Sequence, residues 1–283
     1  MTRLPAVLRA WSRIGRRIPI AARLRVTRWL CRLLVSSGET YAATGGFAFS
    51  IDPEDPFQGT MLVGLYDPVA EAILRLYTPV GATVIDGGAH LGYFSLRLGR
   101  WVGPTGQVHA FECDPRLLPR LRRHLDLNGL HWVTMNPLGL SDRLGEQRLY
   151  LPGQLGWAST LTGAWGARDT ATVEMTTLDD YVAQTGLAAG RISLIKLDLE
   201  GSELRALHGG RRTLAATSAA VLVELIPGRM RAAGQDPAEL LALMAGLGFA
   251  PFSPVRVSRR RLGLVAGAEP AIGEDVLFLK RSH

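Results

Sequence analysis

The sequence predicts an α/β protein built on a mostly parallel sheet with helices on both faces, and three observations predict it. From about residue 80, short apolar runs alternate with stretches whose apolar residues keep helical spacing, which is the pattern of a parallel sheet covered on both sides. The first apolar run ends in a glycine-rich turn that opens a helix. The second ends in an acid, Glu112, twenty residues beyond Gly92.

Taken in order, the chain begins with an arginine-rich stretch. On a helical wheel Leu4, Val7, Leu8, Trp11, Ile14 and Ile18 share one face and Arg3, Arg9, Arg13, Arg16 and Arg17 lie opposite, which predicts an amphipathic helix ending near Pro19. A second such pattern places Val26, Trp29, Leu30, Leu33 and Leu34 against Arg25, Arg28 and Arg32, and Ser36, Ser37 and Gly38 stop it. Strands are expected at 83–86, 107–112, 132–136, 192–198 and 219–225, with helices at 91–101 and 117–128. Residues 248–252 and 275–280 read as a closing pair around a basic loop, 256–261. Some fifty residues separate the third and fourth strands, more than a crossover needs, and short strands at 148–151 and 172–175 mark an inserted hairpin over the active edge of the sheet. The division expected is a helical extension and lead-in at 1–60 and a domain at 61–283, the insertion falling at about 143–178.

Composition narrows the function classes. The 283 residues are 47% hydrophobic and 20% charged, which supports a large core and excludes a disordered or collagenous chain. Formal net charge is +7, yet residues 1–38 hold nine arginines and no acid, leaving 23 basic against 25 acidic residues elsewhere. The basicity is local, and only Lys196 and Lys280 are lysines, so overall charge is weak evidence for nucleic acid. Cys31 and Cys113 have neither disulfide density nor metal spacing, which fits a reducing cytoplasm. The Arg16, Arg17 pair resembles a twin-arginine signal, but Arg23, Arg25, Arg28 and Arg32 leave no apolar stretch after it. No uncharged run is long enough for a spanning helix.

The chemistry concentrates at strand ends. Val84, Ile85, Asp86, Gly87, Gly88, Ala89, His90, Leu91, Gly92 leads from strand to helix, where a ligand can approach backbone amides at a helix N-terminus. Spacing of Asp86, Gly88 and Gly92 is not the dinucleotide pattern of three glycines. Glu112 at the end of the next strand can accept both hydroxyls of a ribose. A structural turn beside an ordinary surface acid is the other reading; turn and acid together at this spacing favour a nucleoside cofactor.

Those residues resemble the S-adenosylmethionine site of class I methyltransferases. The resemblance sharpens to the FkbM-type methyltransferase family at Ile195, Lys196, Leu197, Asp198, Leu199, Glu200, Gly201, Ser202, Glu203, then Leu207, His208, Gly209, with Thr177, Leu178, Asp179 before and Val223, Glu224 after. It covers about residues 60–230. It implies a Rossmann-like, seven-stranded sheet with the last strand antiparallel, and methyl transfer, usually to a hydroxyl of a sugar, lipid-linked glycan or natural product of the polyketide or macrolide type. Gly88 and Gly92 would pass the methionine moiety of the cofactor and Asp86 would orient its ammonium. His90 would hydrogen-bond the cofactor carboxylate or else cap the helix, and Leu140 and Ser141 would lie along the adenine.

Asp198, Glu200 and Glu203 follow the fourth strand, at the edge where such sheets react. Asp198 is the first candidate for base or acceptor ligand and Glu200 the second. Glu203 is placed with Glu224 among the substrate residues, although an acid in a first helical turn also serves the helix dipole alone. Ligand count does not favour magnesium, since Glu224 stands alone after the fifth strand; were the ion used, Asp198 would hold it. Lys196 is expected to pair with a neighbouring carboxylate. Trp157 and Trp165 in the insertion either stack on an acceptor ring or pack the hairpin down, and Cys113 is read as packing.

The expected activity is therefore S-adenosylmethionine-dependent O-methylation of a small molecule or glycan. A nucleic-acid methyltransferase and a cofactor-binding scaffold without turnover are the competing classes; Asp198, Leu199, Glu200, Gly201 lacks the Pro, Pro, aromatic run of amino-methylating enzymes, and its acids repel phosphate. The apolar stripe of residues 1–38 has three available covers: this protein's own acceptor cleft or a partner subunit, an anionic membrane surface at the inner face of the cell, or an acidic macromolecule.

Overall fold

The structure, a computed structural model, describes residues 1–151, 169–256, 262–267 and 275–281. Two compact units divide it, Met1–Pro68 with Arg123–Gly129, and Val69–Arg122 with Leu130–His283.

In the first unit β1 (Thr2–Arg3) leads to α1 (Ala6–Ile14) and, after one 3-10 turn at Gly15–Arg17, to α2 (Ile20–Leu34). Pro5 and Pro19 stand immediately before the two helices with φ of −50° and −54°, close to the value the proline ring imposes and already near that of a helix. α1 buries Leu8 and Trp11, and the Trp11 indole donates to the Thr27 hydroxyl on α2 at 2.8 Å. Part of the predicted apolar stripe is thus covered by the same unit. β2 (Tyr41–Ala42) lies between β1 and β3 (Ala48–Phe49) in a small sheet, and α3 (Pro56–Leu62) follows, its Asp55 cap accepting from Phe57 and Gln58 amides.

The second unit opens with α4 (Pro68–Leu76), then β4 (Thr83–Gly87), α5 (Tyr93–Val102), β5 (Gln107–Phe111), α6 (Leu118–Leu127) and β6 (Val133–Asn136). Next come β7 (Gly139–Leu140), β8 (Gly145–Leu151), β9 (Asp169–Thr176), α7 (Leu178–Thr185) and β10 (Ile192–Leu197). α8 (Glu203–His208), α9 (Arg211–Ala216), β11 (Ala220–Glu224), α10 (Pro227–Ala232), α11 (Pro237–Gly246), β12 (Phe249–Arg256), β13 (Leu262–Ala266) and β14 (Asp275–Lys280) complete it.

The main sheet runs β13-β12-β14-β11-β10-β4-β5-β6. β11, β10, β4, β5 and β6 pair in parallel, and β14 is antiparallel to both β11 and β12. This is the expected Rossmann-like arrangement with its antiparallel last strand. Val84, Ile85, Val108, Ala110, Leu194, Ile195 and Val221 are fully buried, so these strands are apolar on both faces as parallel strands must be. One expectation is corrected. The sheet holds an eighth strand, β13, paired along a β12 that continues to Arg256, where the sequence suggests a strand ending at residue 252 and a basic loop at 256–261; the apolar Leu262–Ala266 run beyond that loop is only five residues long.

The insertion is a hairpin of β8 and β9 in antiparallel register, longer than predicted, and β7 joins β9 in parallel to make a separate three-stranded sheet. β4 sits between β5 and β10, at the point where the chain's order across the sheet reverses, and ligands bind beyond the carboxyl ends of strands at such a point. Among the described residues no helix is long and apolar enough to cross a membrane.

Candidate active site

The turn after β4 is held in a left-handed backbone. Gly88, His90 and Gly92 have φ of +76°, +53° and +86°, a region that only glycine enters at little cost. A Cβ on Gly88 would lie 1.9 Å from the Asp198 carbonyl oxygen, so glycine lets β4's end run against β10's. Gly88 and Ala89 amides donate to the Phe111 carbonyl at 3.0 and 2.9 Å. The His90 amide donates to Glu112 Oε2 at 2.8 Å. The turn is thereby stitched to the end of β5. His90 precedes α5 and is not in its first turn.

Glu112 also accepts from the Asp114 amide through Oε1 at 2.8 Å. Burial pushes its carboxyl up to about 7, against the pull of those amides. A carboxylate has about four acceptor positions, so this one retains capacity for a vicinal diol.

Register explains the next contact, because Lys196 on β10 stands directly beside Asp86 on β4. Neighbouring residues in register point to the same face. The Lys196 ammonium is 3.5 Å from Asp86 Oδ1 and 3.3 Å from Asp198 Oδ2, and lies over the Phe94 ring at 5.5 Å. Burial alone lowers an ammonium's pKa, but Asp198 and Asp86 outweigh it and raise this one. Lys196 therefore holds the acidic edge together as expected. Asp86 is wholly buried and takes the Ser95 hydroxyl at 2.6 Å on its other oxygen. Its carboxylate meets Lys196 on one oxygen and Ser95 on the other inside the protein, at the position from which the family resemblance has it orient a cofactor ammonium.

The loop after β10 carries the remaining acids, and they divide. Glu200, at φ +54°, lies 2.8 Å from Arg229, and the same guanidinium nitrogen is 2.9 Å from Glu224. Burial and the charges of Asp198 and Glu200 push the Glu224 carboxyl well up. Arg229 was missed in the sequence, because its approach depends on α10 folding back from the end of β11. Glu203, expected among the acceptor contacts, is instead 1% exposed and accepts the Leu199 and Gly201 amides at 2.7 and 3.1 Å. It fastens the loop from within, and burial pushes its carboxyl up to about 7.

Leu140 and Ser141 are each 2% exposed. Leu140 packs in the core cluster with Ile85, Phe111 and Leu197, and the Ser141 hydroxyl donates to Asp142. Both are buried, at the positions that the family resemblance sets along the adenine. Cys113 packs against the hairpin residues Leu149, Leu151, Val173 and Met175, and burial pushes its thiol up. Trp157 and Trp165 lie outside the described residues. Among the described residues no cluster of three His, Cys, Asp or Glu is arranged to hold a metal ion.

Residues 86–251, more than half the chain, match the methyltransferase FkbM domain family. The chain belongs to that family. An FkbM methyltransferase from Methylobacillus flagellatus is 19% identical, with a TM-score of 0.43 over 71% of this chain; this chain spans 44% of that protein. A SAM-dependent O-methyltransferase from Thermotoga maritima is 16% identical, with a TM-score of 0.44 over 88% of this chain and 79% of its own. An rRNA methylase from Streptococcus thermophilus is 13% identical, with a TM-score of 0.42 over 75% of this chain and 95% of its own. No curated protein matches it. S-adenosylmethionine is the expected cofactor of the FkbM family, and this FkbM domain fits it at Glu112, a carboxylate with remaining acceptor capacity held beside the Gly88 turn at the next strand's end.

Proposed function

We propose that this FkbM domain methylates a hydroxyl of a sugar, glycan or natural product, with S-adenosylmethionine held between the Gly88 turn and Glu112. One observation carries the reading: the Asp198 carboxylate, its side chain 28% exposed and fixed by Lys196, follows the last residue of β10 directly beside the Gly88 turn. The cofactor, when bound, supplies a methyl group on a sulfonium. Asp198 accepts the proton of the acceptor hydroxyl on one of its Oδ atoms, a general-base contribution of about 10² to 10⁴ in rate. Alignment of that oxygen supplies the larger share, up to about 7 to 11 kcal/mol. Glu200, already bonded to Arg229, is suited to orient the acceptor, and so is Glu224 across the same guanidinium. The three partly exposed acids of this edge, Asp198, Glu200 and Glu224, disfavour a phosphate-rich acceptor and so a nucleic acid.

The test pairs two variants over a panel of glycans and macrolides. Asp198→Asn should keep cofactor affinity within a few fold while turnover falls by about 10² or more. Glu112→Ala should weaken cofactor binding by about 1.5 to 3 kcal/mol, read by calorimetry. An Asp198→Asn protein that turns over at the native rate would sink the base assignment. Full activity in excess chelator would remove a magnesium ion from the reaction.

A further inference from the structure

α2 turns Arg23, Thr27, Leu30 and Cys31 inward, and this leaves a second stripe outside. Ala22, Val26, Trp29 and Leu33 recur at helical spacing on one side of the helix. Trp29 is 60% exposed and Leu33 63%. Val7 and Ile14 of α1 and Ile20, the first residue of α2, are more than half exposed as well. Chance would scatter such residues singly, whereas Trp29 and Leu33, with the half-buried Ala22 and Val26, line one face of α2.

Charge beside the stripe has one sign. Arg3, Arg9, Arg13, Arg16, Arg17, Arg25, Arg28 and Arg32 are all exposed, in a stretch without a single acid. Among the described residues only Glu54 pairs with any of these eight, at Arg28 and Arg32. Arg9 and Arg13 on α1 and Arg16 in the turn after it line, with Ser12, a cavity of about 560 Å³. Arg9 and Arg16 each place a nitrogen on a backbone carbonyl, of Leu4 and Gly64, and keep further donors for an anion.

From these observations we infer that the exposed face of α2 seats on an anionic phospholipid surface, Trp29 and Leu33 entering the acyl boundary while the arginines meet lipid phosphates. An interfacial helix needs an apolar stripe carrying Trp or Leu with arginines beside it. A second copy of the chain fits the face less well, since a two-fold contact sets each patch against its own kind and brings the arginine rows together. A nucleic acid would satisfy the arginines but leave the aliphatic part of the stripe in water. This inference is independent of the acceptor and of the roles given to Asp198 and Glu112.

Sedimentation of the full chain with vesicles tests it, using phosphatidylcholine alone and phosphatidylcholine with about one third phosphatidylglycerol. The expected result is binding to the anionic vesicles alone, weakened by salt. The Trp29→Ser/Leu33→Ser variant should lose about tenfold or more in vesicle affinity, and Arg13→Glu/Arg25→Glu a similar factor, each retaining native cofactor binding. All four side chains are exposed, so folding is not at stake. Equal binding to neutral vesicles, no vesicle binding, or undiminished binding by the Trp29→Ser/Leu33→Ser variant would overturn the inference. So would a dimer in solution that this variant converts to monomer.

Discussion

The Lys196 ammonium stands between Asp86 at 3.5 Å and Asp198 at 3.3 Å, with Asp86 wholly out of water. Removing the charge strands a buried carboxylate, a loss of about 3 to 5 kcal/mol when one partner of a buried pair is taken away. Lys196→Met should cost that much in urea unfolding, and Lys196→Met/Asp86→Asn should cost measurably less, since the second change removes the stranded charge. Equal losses in both would mean that Lys196 acts through packing on Phe94 instead. The sequence placed Lys196 beside an acid but not beside which one. Asp86 is 110 positions away, and only the register of two parallel strands makes them neighbours. Arg229 escaped for the same reason, since five residues after Glu224 is not a separation at which a regular strand or helix brings side chains together.

At the scale of elements, the β4 to α5 turn is where local strain and tertiary approach coincide. Gly88→Ala would meet two costs: a left-handed backbone at φ +76°, about 1 to 2 kcal/mol for an L-residue, and a Cβ 1.9 Å from the Asp198 carbonyl. Gly186, after α7, is left-handed at φ +68° and ψ +18° and has nothing within 4 Å of an added Cβ. Gly186→Ala should therefore show the backbone cost alone, and Gly88→Ala more than about 2 kcal/mol, measured by thermal unfolding. Similar losses at both would place the cost in φ and not in the approach of β10. The glycine pattern made this turn legible from the sequence. Its partner across the sheet was legible only as a motif, since no local rule says that Asp198 comes to lie against Gly88. Helix ends were less legible: α5 begins at Tyr93, two residues later than read, because the left-handed residues His90 and Gly92 cannot belong to it.

For the whole molecule, burial leaves several acids with raised pKa values, and this sets a pH dependence. Glu112 and Glu203 stand at about 7 in the folded protein against an ordinary 4.5, and Asp86 and Glu224 are raised too. A group raised on folding binds its proton more tightly in the native state. Its stability contribution is complete below the ordinary value and is lost as pH climbs through the folded one. Cofactor-free protein should thus lose stability between about pH 4.5 and 7, seen as a falling urea midpoint. A midpoint that rises across that window would show these carboxylates to be ionised and well compensated in the folded state.

Several features of this protein are properties of its sequence alone. Alternating apolar runs fix an α/β sheet, because a strand covered on both faces has no place for polar residues. The glycines after β4 and the acid following β5 mark the edge proposed to hold the cofactor, because backbone approach and diol recognition need those residue types at strand ends. The arginines and apolar stripe of the first 38 residues are legible too, but which half of the stripe stays outside is not: α1 gives Leu8 and Trp11 to its own unit while α2 leaves Trp29 and Leu33 uncovered. Tertiary structure alone decided that Glu203 faces inward, that Arg229 joins Glu200 to Glu224, and that Asp86 is occupied by Lys196 and Ser95. The physical reason is common to all three. An ionised side chain leaves water only when a partner meets it, and these partners are brought by strand register and chain reversal over distances that local sequence pattern does not encode.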